Sequence, residues 1–324
     1  METIVLNNGV EMPKLGLGTF LIPEDKLEET IVKAYDMGYR KFDTAWRYHN
    51  ERQIAEIFKK HGIKREDVFI TTKLNIDALY YGGFKAGARS ITNIRCKSIK
   101  GAIEESFENL ETDYIDLFLV HYPYKNFRSL WKGLEKFYRK GAIRAIGVSS
   151  FLQPHLKAIE DISDITPAVN QIELSPLNTQ KELIKYCQEK KIAVEAMSTF
   201  SHFRSNEPRL EIIENSTIKS IAKKHNKSTV QVVLRWLLQQ NVSAIPKTWR
   251  EEWLLENISI FDFSLSDEEM KLIDALDQGR CLNYNSYTAT RGLPIKYKDF
   301  DFFYDEKKVD AYRLERPLWM KILF

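Results

Sequence analysis

The sequence has 324 residues, of which 44% are hydrophobic and 29% are charged, as in a globular protein that can bury a large core. Its 48 basic and 45 acidic residues leave a formal net charge of +3, which gives no reason to expect a nucleic acid or a membrane as partner. The N-terminal segment lacks the features of a signal peptide, and no apolar run reaches the roughly 18 residues of a membrane span. We therefore expect a cytoplasmic protein.

Cysteine and histidine are too few and too scattered to suggest a metal site. The three cysteines form no CxxC pair, and the six histidines form no HExxH motif, so we predict neither a zinc site nor a disulfide framework. The segment GGFKAGARS is similar to a phosphate-binding P-loop, but Ala88 stands at the position of the motif's lysine. This difference argues against a nucleoside triphosphate as ligand.

The N-terminus carries a signal for a β-hairpin. Asn8 and Gly9 stand between two short apolar segments, and Asn-Gly favours a tight turn because both residues tolerate positive φ. We predict a hairpin over residues 1–14.

After the hairpin, short apolar segments alternate with amphipathic ones. The eight predicted strands are LGLGTF, YRKFD, VFITTKL, YIDLFLVH, AIRAIGVSS, PAVNQIEL, IAVEAMS and VSAIPK. The predicted helices cover residues 25–37, 51–60, 98–110, 128–139, 152–162, 179–190 and 210–239. Because a helix between two strands lets them pair in parallel, eight such units predict an α/β protein with a (β/α)8 TIM barrel. An open doubly wound sheet is the alternative.

No low-complexity linker divides the chain, so we predict a single domain over residues 1–324. Residues 279–324 would form an extended C-terminal loop and tail. Two helix starts carry capping signals: Asn50 with Gln53, and Ser266 ahead of an acidic first turn.

Several predicted strands end in a polar side chain. These residues are Asp43, Lys73, His121, Ser149, Gln171 and Lys247. In a barrel the C-terminal ends of all strands meet on one face, where the βα loops build the active site. Each residue alone has an ordinary structural explanation, but together they predict one shared pocket.

The first three of these residues, with Tyr48, suggest a specific chemistry. Tyrosine has a pKa of about 10, and a neighbouring Lys73 ammonium is expected to lower it. Asp43 would keep Lys73 charged and in place, and His121 would donate a hydrogen bond to the same substrate oxygen. The set predicts a proton donor for a carbonyl group whose carbon receives a hydride.

Seven segments resemble the aldo-keto reductase family in order and spacing, over roughly residues 3–278. They are GYRKFDTAWRYHNE, ITTKL, AIEESFENLETDYIDLFLVHYP, KGAIRAIGVSSF, VNQIELSP, IPKT and FDFSLSDEEMKLIDALD. The resemblance implies a catalytic tetrad of Asp43, Tyr48, Lys73 and His121, all of which are present. It also implies an enzyme that reduces an aldehyde or ketone to an alcohol, with Tyr48 as general acid.

The resemblance further implies that the cofactor is NADPH, with NADH as the alternative, extended across the barrel mouth. The sequence agrees in having no GxGxxG motif ahead of a helix. The residues implied to bind the cofactor are Ser149, Ser150, Gln171, Met197, Ser198, Lys247, Thr248, Arg250, Trp253, Glu256 and Asn257.

Three positions depart from the family pattern. Ser150 replaces an asparagine, and Met197 replaces the tyrosine that stacks on the nicotinamide. Trp253 replaces the arginine that binds the 2′-phosphate of NADPH; tryptophan can stack on adenine but cannot bind phosphate. With Lys247 and Arg250 still present, we expect a weak preference for NADPH.

On the substrate side, the resemblance implies that Phe20, Trp46 and Tyr122 line the pocket. The long loop over residues 76–95 and the tail over residues 279–324 are expected to shape its rim. We expect a monomer or a weak homo-oligomer. Two other functions stay open: a cofactor-binding regulatory barrel with little turnover, and an aldolase or isomerase that uses Lys73 as a Schiff-base lysine.

Overall fold

The computed structural model describes residues 1–74, 98–123, 126–200 and 207–280. The predicted long loop over residues 76–95 lies outside the described residues, as does the predicted tail from residue 281 onward.

In the described residues the strands are β1 (Thr3–Val5), β2 (Glu11–Pro13), β3 (Leu17–Gly18), β4 (Lys41–Asp43), β5 (Phe69–Leu74), β6 (Ile115–Val120), β7 (Ile143–Ser149), β8 (Val169–Glu173), β9 (Ala193–Met197) and β10 (Val242–Ala244). The α-helices are α1 (Glu24–Asp36), α2 (Glu51–Lys60), α3 (Ile99–Asn109), α4 (Phe127–Tyr138), α5 (Gln153–Glu160), α6 (Lys181–Glu189), α7 (Glu207–Ile213), α8 (Ser216–His225), α9 (Thr229–Gln239), α10 (Glu251–Ile258) and α11 (Asp267–Asp274). Short 3-10 turns cover Trp46–Tyr48 and Arg65–Asp67.

Strands β3 to β10 form one parallel sheet in which each strand pairs with its neighbours in sequence order. The backbone N–H of Gly16 donates to the carbonyl of Ala244 at 2.9 Å, and that of Ala244 donates to Lys14 at 2.8 Å. These bonds join the first and last strands of the sheet. The predicted (β/α)8 barrel is therefore confirmed over the open-sheet alternative.

The predicted N-terminal hairpin consists of β1 and β2, which pair antiparallel. Its apolar residues Ile4 and Met12 are buried and pack with Leu117, Ala145 and Val169 near the N-terminal ends of the barrel strands. The hairpin thereby covers that end of the barrel and leaves the C-terminal end for the site.

The helices bury one apolar side against the outside of the barrel. Trp131 in α4 and Trp236 in α9 are fully buried, and their indole N–H groups donate to Glu135 at 3.1 Å and Asp274 at 2.9 Å. A buried indole with its donor satisfied contributes on the order of 4 kcal/mol of apolar burial before entropy is subtracted.

The predicted helix over 210–239 is three helices, α7, α8 and α9. Asn215 caps α8, since its side chain accepts from the backbone N–H of Thr217 at 3.0 Å. Asn226 ends α8 with a φ of 52°, and Ser228 then starts α9 with a capping box. Short polar side chains that bond the backbone at helix ends explain both breaks.

Of the two predicted caps, one is wrong. Ser266 accepts from the backbone N–H of Glu269 at 3.3 Å and forms the predicted N-terminal cap. Asn50 makes no such bond; its side chain accepts from Thr44 at 2.5 Å and donates to Thr19 at 3.1 Å. Asn50 therefore ties the segments that follow β3 and β4 together instead of capping α2.

The close contact between β7 and β8 yields a stability prediction. A Cβ on Gly147 would lie 2.5 Å from the carbonyl oxygen of Val169 and 2.7 Å from Leu119. Gly147→Ala should therefore lower the free energy of unfolding by about 1–3 kcal/mol through overpacking. Urea unfolding followed by circular dichroism measures this change.

Gly101 in α3 provides the matched control. A Cβ there meets nothing closer than Ser98 at 3.5 Å. Gly101→Ala should leave stability unchanged or raise it by up to about 1 kcal/mol. Equal urea midpoints for the two variants would contradict the argument.

Candidate active site

Four polar side chains meet at the C-terminal ends of three adjacent strands. Asp43 is the last residue of β4, Lys73 lies near the end of β5, and His121 directly follows β6. Tyr48 lies in the short turn Trp46–Tyr48 that follows β4. Because β4, β5 and β6 pair in parallel, residues distant in sequence reach the same place.

Lys73 is fully buried and makes three polar contacts with described residues. Its ammonium lies 2.6 Å from Oδ1 of Asp43, 2.9 Å from the carbonyl of Thr44 and 3.3 Å from the hydroxyl of Tyr48. The other oxygen of Asp43, Oδ2, accepts from the side-chain amide of Gln171 at 2.8 Å. The ion pair is thus hydrogen-bonded on both sides, as a buried pair requires.

Two predicted substrate residues lie beside this group. The ring of Phe20 is 4.7 Å from that of Tyr48, and the ring of Tyr122 stacks on His121 at 4.5 Å with an interplanar angle of 12°. Tyr48 and His121 are themselves 6.0 Å apart, measured between ring centroids. An aromatic wall therefore borders the polar group.

The third predicted substrate residue, Trp46, is buried, and its indole N–H donates to Glu105 on α3 at 2.8 Å. The indole N–H of Trp46 is therefore already paired within the protein.

His121 is held in its neutral form. Burial, followed by the positive charges of Lys73 and Arg47, lowers the pKa of His121 well below its ordinary value of about 6.5. Its Nδ1 is buried and has no hydrogen-bond partner among the described residues. A neutral imidazole keeps one N–H donor, so it can hydrogen-bond a substrate oxygen without giving up a proton.

The prediction that the pKa of Tyr48 is lowered is wrong. Burial and then the negative charge of Asp43 raise the pKa of Tyr48 well above its ordinary value of about 10. Asp43, 2.6 Å from the Lys73 ammonium, offsets part of that positive charge at the phenol. Tyr48 is consequently a firmly protonated donor.

The ends of β7 and β8 carry polar atoms that fit a nicotinamide carboxamide. The hydroxyls of Ser149 and Ser150 are buried and have no hydrogen-bond partner within the described ranges. Ser150 has a φ of 67°, so the chain turns sharply there. Unpaired buried hydroxyls are costly unless a ligand pairs with them, and an amide group offers both a donor and acceptors.

Gln171 on β8 pairs with Ser149, and the end of β9 lies on the other side of β8. The side-chain nitrogen of Gln171 donates to Asp43 and to Glu195, both at 2.8 Å, which leaves its oxygen as the group available to a ligand. Met197 ends β9 and is partly buried, and Ser198 follows with a φ of 55°. Their roles toward a cofactor stay predictions.

The segment after β10 concentrates positive charge around two tryptophans. The ammonium of Lys247 is 4.8 Å from the ring centroid of Trp249, and the guanidinium of Arg250 is 4.6 Å from that of Trp253. Thr248 is buried, and its hydroxyl accepts from the backbone N–H of Arg250 at 3.1 Å.

Arg209 in α7 joins this cluster, although the sequence analysis did not select it. Its guanidinium lies 4.8 Å from the ring centroid of Trp253. Partial burial and the charge of Arg209 lower the pKa of Lys247. Since Arg209 and Trp253 are 44 positions apart, only the fold reveals the contact.

The last two predicted cofactor residues lie on α10, beyond Trp253. Asn257 is buried and Glu256 is partly buried, and the carbonyl of Glu256 accepts from Gln231 at 3.1 Å. Their roles toward a cofactor stay predictions.

A sequence model described as the aldo/keto reductase family matches residues 14–278. The chain belongs to this family. It is 41% identical over 280 residues to "Glyoxal reductase" of Bacillus subtilis, covering 86% of this chain and 93% of that protein. It is 33% identical over 282 residues to "Methylglyoxal reductase DkgA" of Escherichia coli K12, covering 86% and 94%.

Solved structures agree with this aldo/keto reductase assignment. The crystal structure of MGS-M4, an aldo-keto reductase from a Medee basin deep-sea metagenome library, matches with a TM-score of 0.77 and 33% identity. The match covers 87% of this chain and 97% of that one. The predicted family and fold are thereby confirmed, and the chain is an oxidoreductase by family.

No helix in the described parts of this aldo/keto reductase combines the length and the apolar character that crossing a bilayer would require.

This aldo/keto reductase has a buried carboxyl group next to β5, the strand that carries Lys73. Glu51, the first residue of α2, accepts from Thr72 at 2.6 Å and from Asn109 at 3.2 Å. Burial raises the pKa of Glu51 from 4.5 to about 7, because these hydrogen bonds only partly offset the loss of water. The carboxyl therefore changes charge near neutral pH.

Glu51 should make the stability of the protein depend on pH. A carboxyl whose pKa is raised in the folded state favours folding when protonated, so stability falls as the pH rises from about 4.5 to about 7. The loss attributable to this group is about 3 kcal/mol. Glu51→Gln should abolish that loss, as urea unfolding at pH values on both sides of the window can measure; an unchanged slope would contradict the assignment.

Proposed function

We propose that this enzyme reduces an aldehyde or ketone to an alcohol with NADPH as hydride donor and Tyr48 as proton donor. The observation that supports the proposal is the contact between the Tyr48 hydroxyl and the Lys73 ammonium, 3.3 Å apart, at the C-terminal end of the barrel. His121 lies beside them, so the substrate oxygen has two candidate donors on one side.

Each residue of the tetrad has a role that follows from its contacts. Neutral His121 donates a hydrogen bond to the carbonyl oxygen and polarises it. Tyr48 transfers its phenolic proton to the oxygen as negative charge develops there. Lys73 stabilises the resulting phenolate through its hydrogen bond, and Asp43 fixes the position of Lys73. When bound, NADPH supplies the hydride from its nicotinamide ring.

The protonation state of Tyr48 suits carbonyl reduction. Carbonyl reduction starts from a protonated tyrosine, whereas alcohol oxidation needs the phenolate as base. Burial and the charge of Asp43, which raise the pKa, keep Tyr48 protonated at neutral pH.

Lys73 is poorly suited to the alternative of a Schiff base. A Schiff-base lysine must attack as a neutral amine. The nitrogen of Lys73 is surrounded by Asp43, the carbonyl of Thr44 and Tyr48, and a carboxylate at 2.6 Å favours the charged form. The complete tetrad also favours an active enzyme over a regulatory subunit.

We propose small dicarbonyl compounds as the substrates to test first. Two relatives with 41% and 33% identity carry the names glyoxal reductase and methylglyoxal reductase. Phe20 and Tyr122 would border such a substrate with apolar ring surface.

The positive charge around Trp253 favours NADPH over NADH. The guanidinium groups of Arg209 and Arg250 lie 4.8 and 4.6 Å from the ring centroid of Trp253, and burial, followed by the charge of Arg209, lowers the pKa of Lys247. Guanidinium groups bind phosphate, and NADPH differs from NADH by one phosphate. Arg209 would thus compensate for the family arginine that Trp253 replaces.

Tyr48→Phe tests the proposed reaction. The variant keeps the ring but loses the proton, so kcat should fall by about 10²- to 10⁴-fold, and the dissociation constant of NADPH should stay unchanged. The assay is the loss of reduced-nicotinamide absorbance with methylglyoxal, other aldehydes, ketosteroids, sugars and quinones. A wild-type protein inactive on the whole panel, or a Tyr48→Phe variant with full activity, would refute the proposal.

Arg209→Ala tests the cofactor preference. Loss of one charge-assisted bond to phosphate should raise the KM for NADPH by about tenfold and leave that for NADH unchanged. Arg139→Ala, which removes a surface ion pair with Asp164, should change neither value. Equal or better turnover of the wild type with NADH would overturn the NADPH preference.

A further inference from the structure

The inside of the barrel below Asp43 contains a charged layer. Lys41, Glu195 and Ser243 are all fully buried, on β4, β9 and β10. Lys41 and Asp43 are two positions apart on one strand, so their side chains point to the same face. Branched apolar residues usually fill this part of a barrel, which makes a buried lysine and glutamate unusual.

Hydrogen bonds connect the three side chains of the charged layer. The ammonium of Lys41 contacts Oε2 of Glu195 and the hydroxyl of Ser243, and that hydroxyl donates to Oε2 of Glu195 at 2.9 Å. Gly16 leaves the room that Lys41 needs, because a Cβ there would lie 2.5 Å from Cε of Lys41.

Gln171 links this layer to the catalytic ion pair. Its Nε2 donates to Oε1 of Glu195 and to Oδ2 of Asp43, both at 2.8 Å. Both partners are carboxylates, which only accept hydrogen bonds, so the nitrogen of the amide must face them. The oxygen of Gln171 must then point the other way.

Stability alone does not explain the layer. A buried ion pair is often no more stabilising than apolar residues of the same volume, because both charges lose their water. Apolar side chains at Lys41 and Glu195 would fill the barrel without that cost. The link through Gln171 to Asp43 supplies a reason to keep the charges.

We propose that Glu195, held by Lys41 and Ser243, is a positioning residue that fixes the side-chain amide of Gln171. The fixed amide secures Asp43 on its Oδ2 side, which leaves Oδ1 for Lys73. It also presents the oxygen of Gln171 as an acceptor for a carboxamide N–H. The effect on cofactor and hydride transfer rests on the proposed function, whereas the orientation of the amide does not.

Two double variants separate positioning from mere filling. Lys41→Met with Glu195→Gln removes both charges but keeps an acceptor for Gln171. Lys41→Met with Glu195→Leu removes the charges and the acceptor. Both have a neutral barrel interior of similar volume, so neither leaves a buried charge without a partner.

The first measurement requires no cofactor. Side-chain amide signals of 15N-glutamine-labelled protein report hydrogen exchange, and the signal of Gln171 is identified by its absence in Gln171→Leu. We expect slow exchange in the wild type and in the glutamine variant, and faster exchange in the leucine variant. This readout holds even if the wild type reduces no carbonyl, so it separates the two proposals.

The second measurement covers NADPH affinity and kcat. The leucine variant should bind NADPH more weakly and lose about 10- to 100-fold in kcat, because a shift of about 1 Å in a positioned group has that effect. The glutamine variant should keep most of the wild-type NADPH affinity and most of the wild-type kcat. Equal values for the two double variants, in exchange and in NADPH affinity, would overturn the proposal.

Two further variants complete the design. Ser243→Ala serves as the test if the leucine variant does not fold. It removes one bond to Glu195 and keeps the charges, so it should speed the exchange of Gln171 slightly. Wild-type exchange and wild-type NADPH affinity in Ser243→Ala would overturn the proposal. Asp116→Asn weakens the ion pairs of the buried Asp116 carboxylate with Arg65 and Arg144, each 2.6 Å, and does not touch the contacts of Gln171. It should lower the unfolding midpoint and leave NADPH affinity unchanged.

Discussion

The ion pair between Asp43 and Lys73 is the interaction on which the site depends. Both residues are buried at the C-terminal end of the barrel, where an unpaired charge would cost several kcal/mol. The surroundings provide what the pair needs: a backbone carbonyl and Tyr48 for Lys73, and Gln171 for Asp43. The hydrogen bond from Lys73 therefore helps to position the phenol of Tyr48, together with the turn Trp46–Tyr48.

The barrel divides apolar and polar packing between its two sides. The helices bury large apolar side chains such as Trp131 and Trp236 against the outer face of the sheet, and the hairpin covers the N-terminal end. Inside, Lys41 and Glu195 form a second buried ion pair that reaches the first through Gln171. Each pair combines one positive and one negative side chain, so the hydrogen-bonded groups inside the barrel carry no net charge.

Electrostatics at the site follow from burial more than from any single neighbour. Burial is the largest cause that raises the pKa of Tyr48 and lowers the pKa of His121. Both shifts leave the groups uncharged, with a phenolic O–H and an imidazole N–H as donors. A site that receives negative charge on a substrate oxygen needs neutral donors of this kind, ready before the reaction.

The sequence by itself determined the strand order, the hairpin, the family and the four residues of the tetrad. These features are local, or repeat at each strand end, so periodicity and motif spacing reveal them. Only the tertiary structure decided the sign of the Tyr48 pKa shift, the role of Asn50, the contact of Arg209 with Trp253 and the link from Lys41 to Asp43. Each of these depends on which side chains the closed barrel brings within a few ångströms, and on how much water it removes.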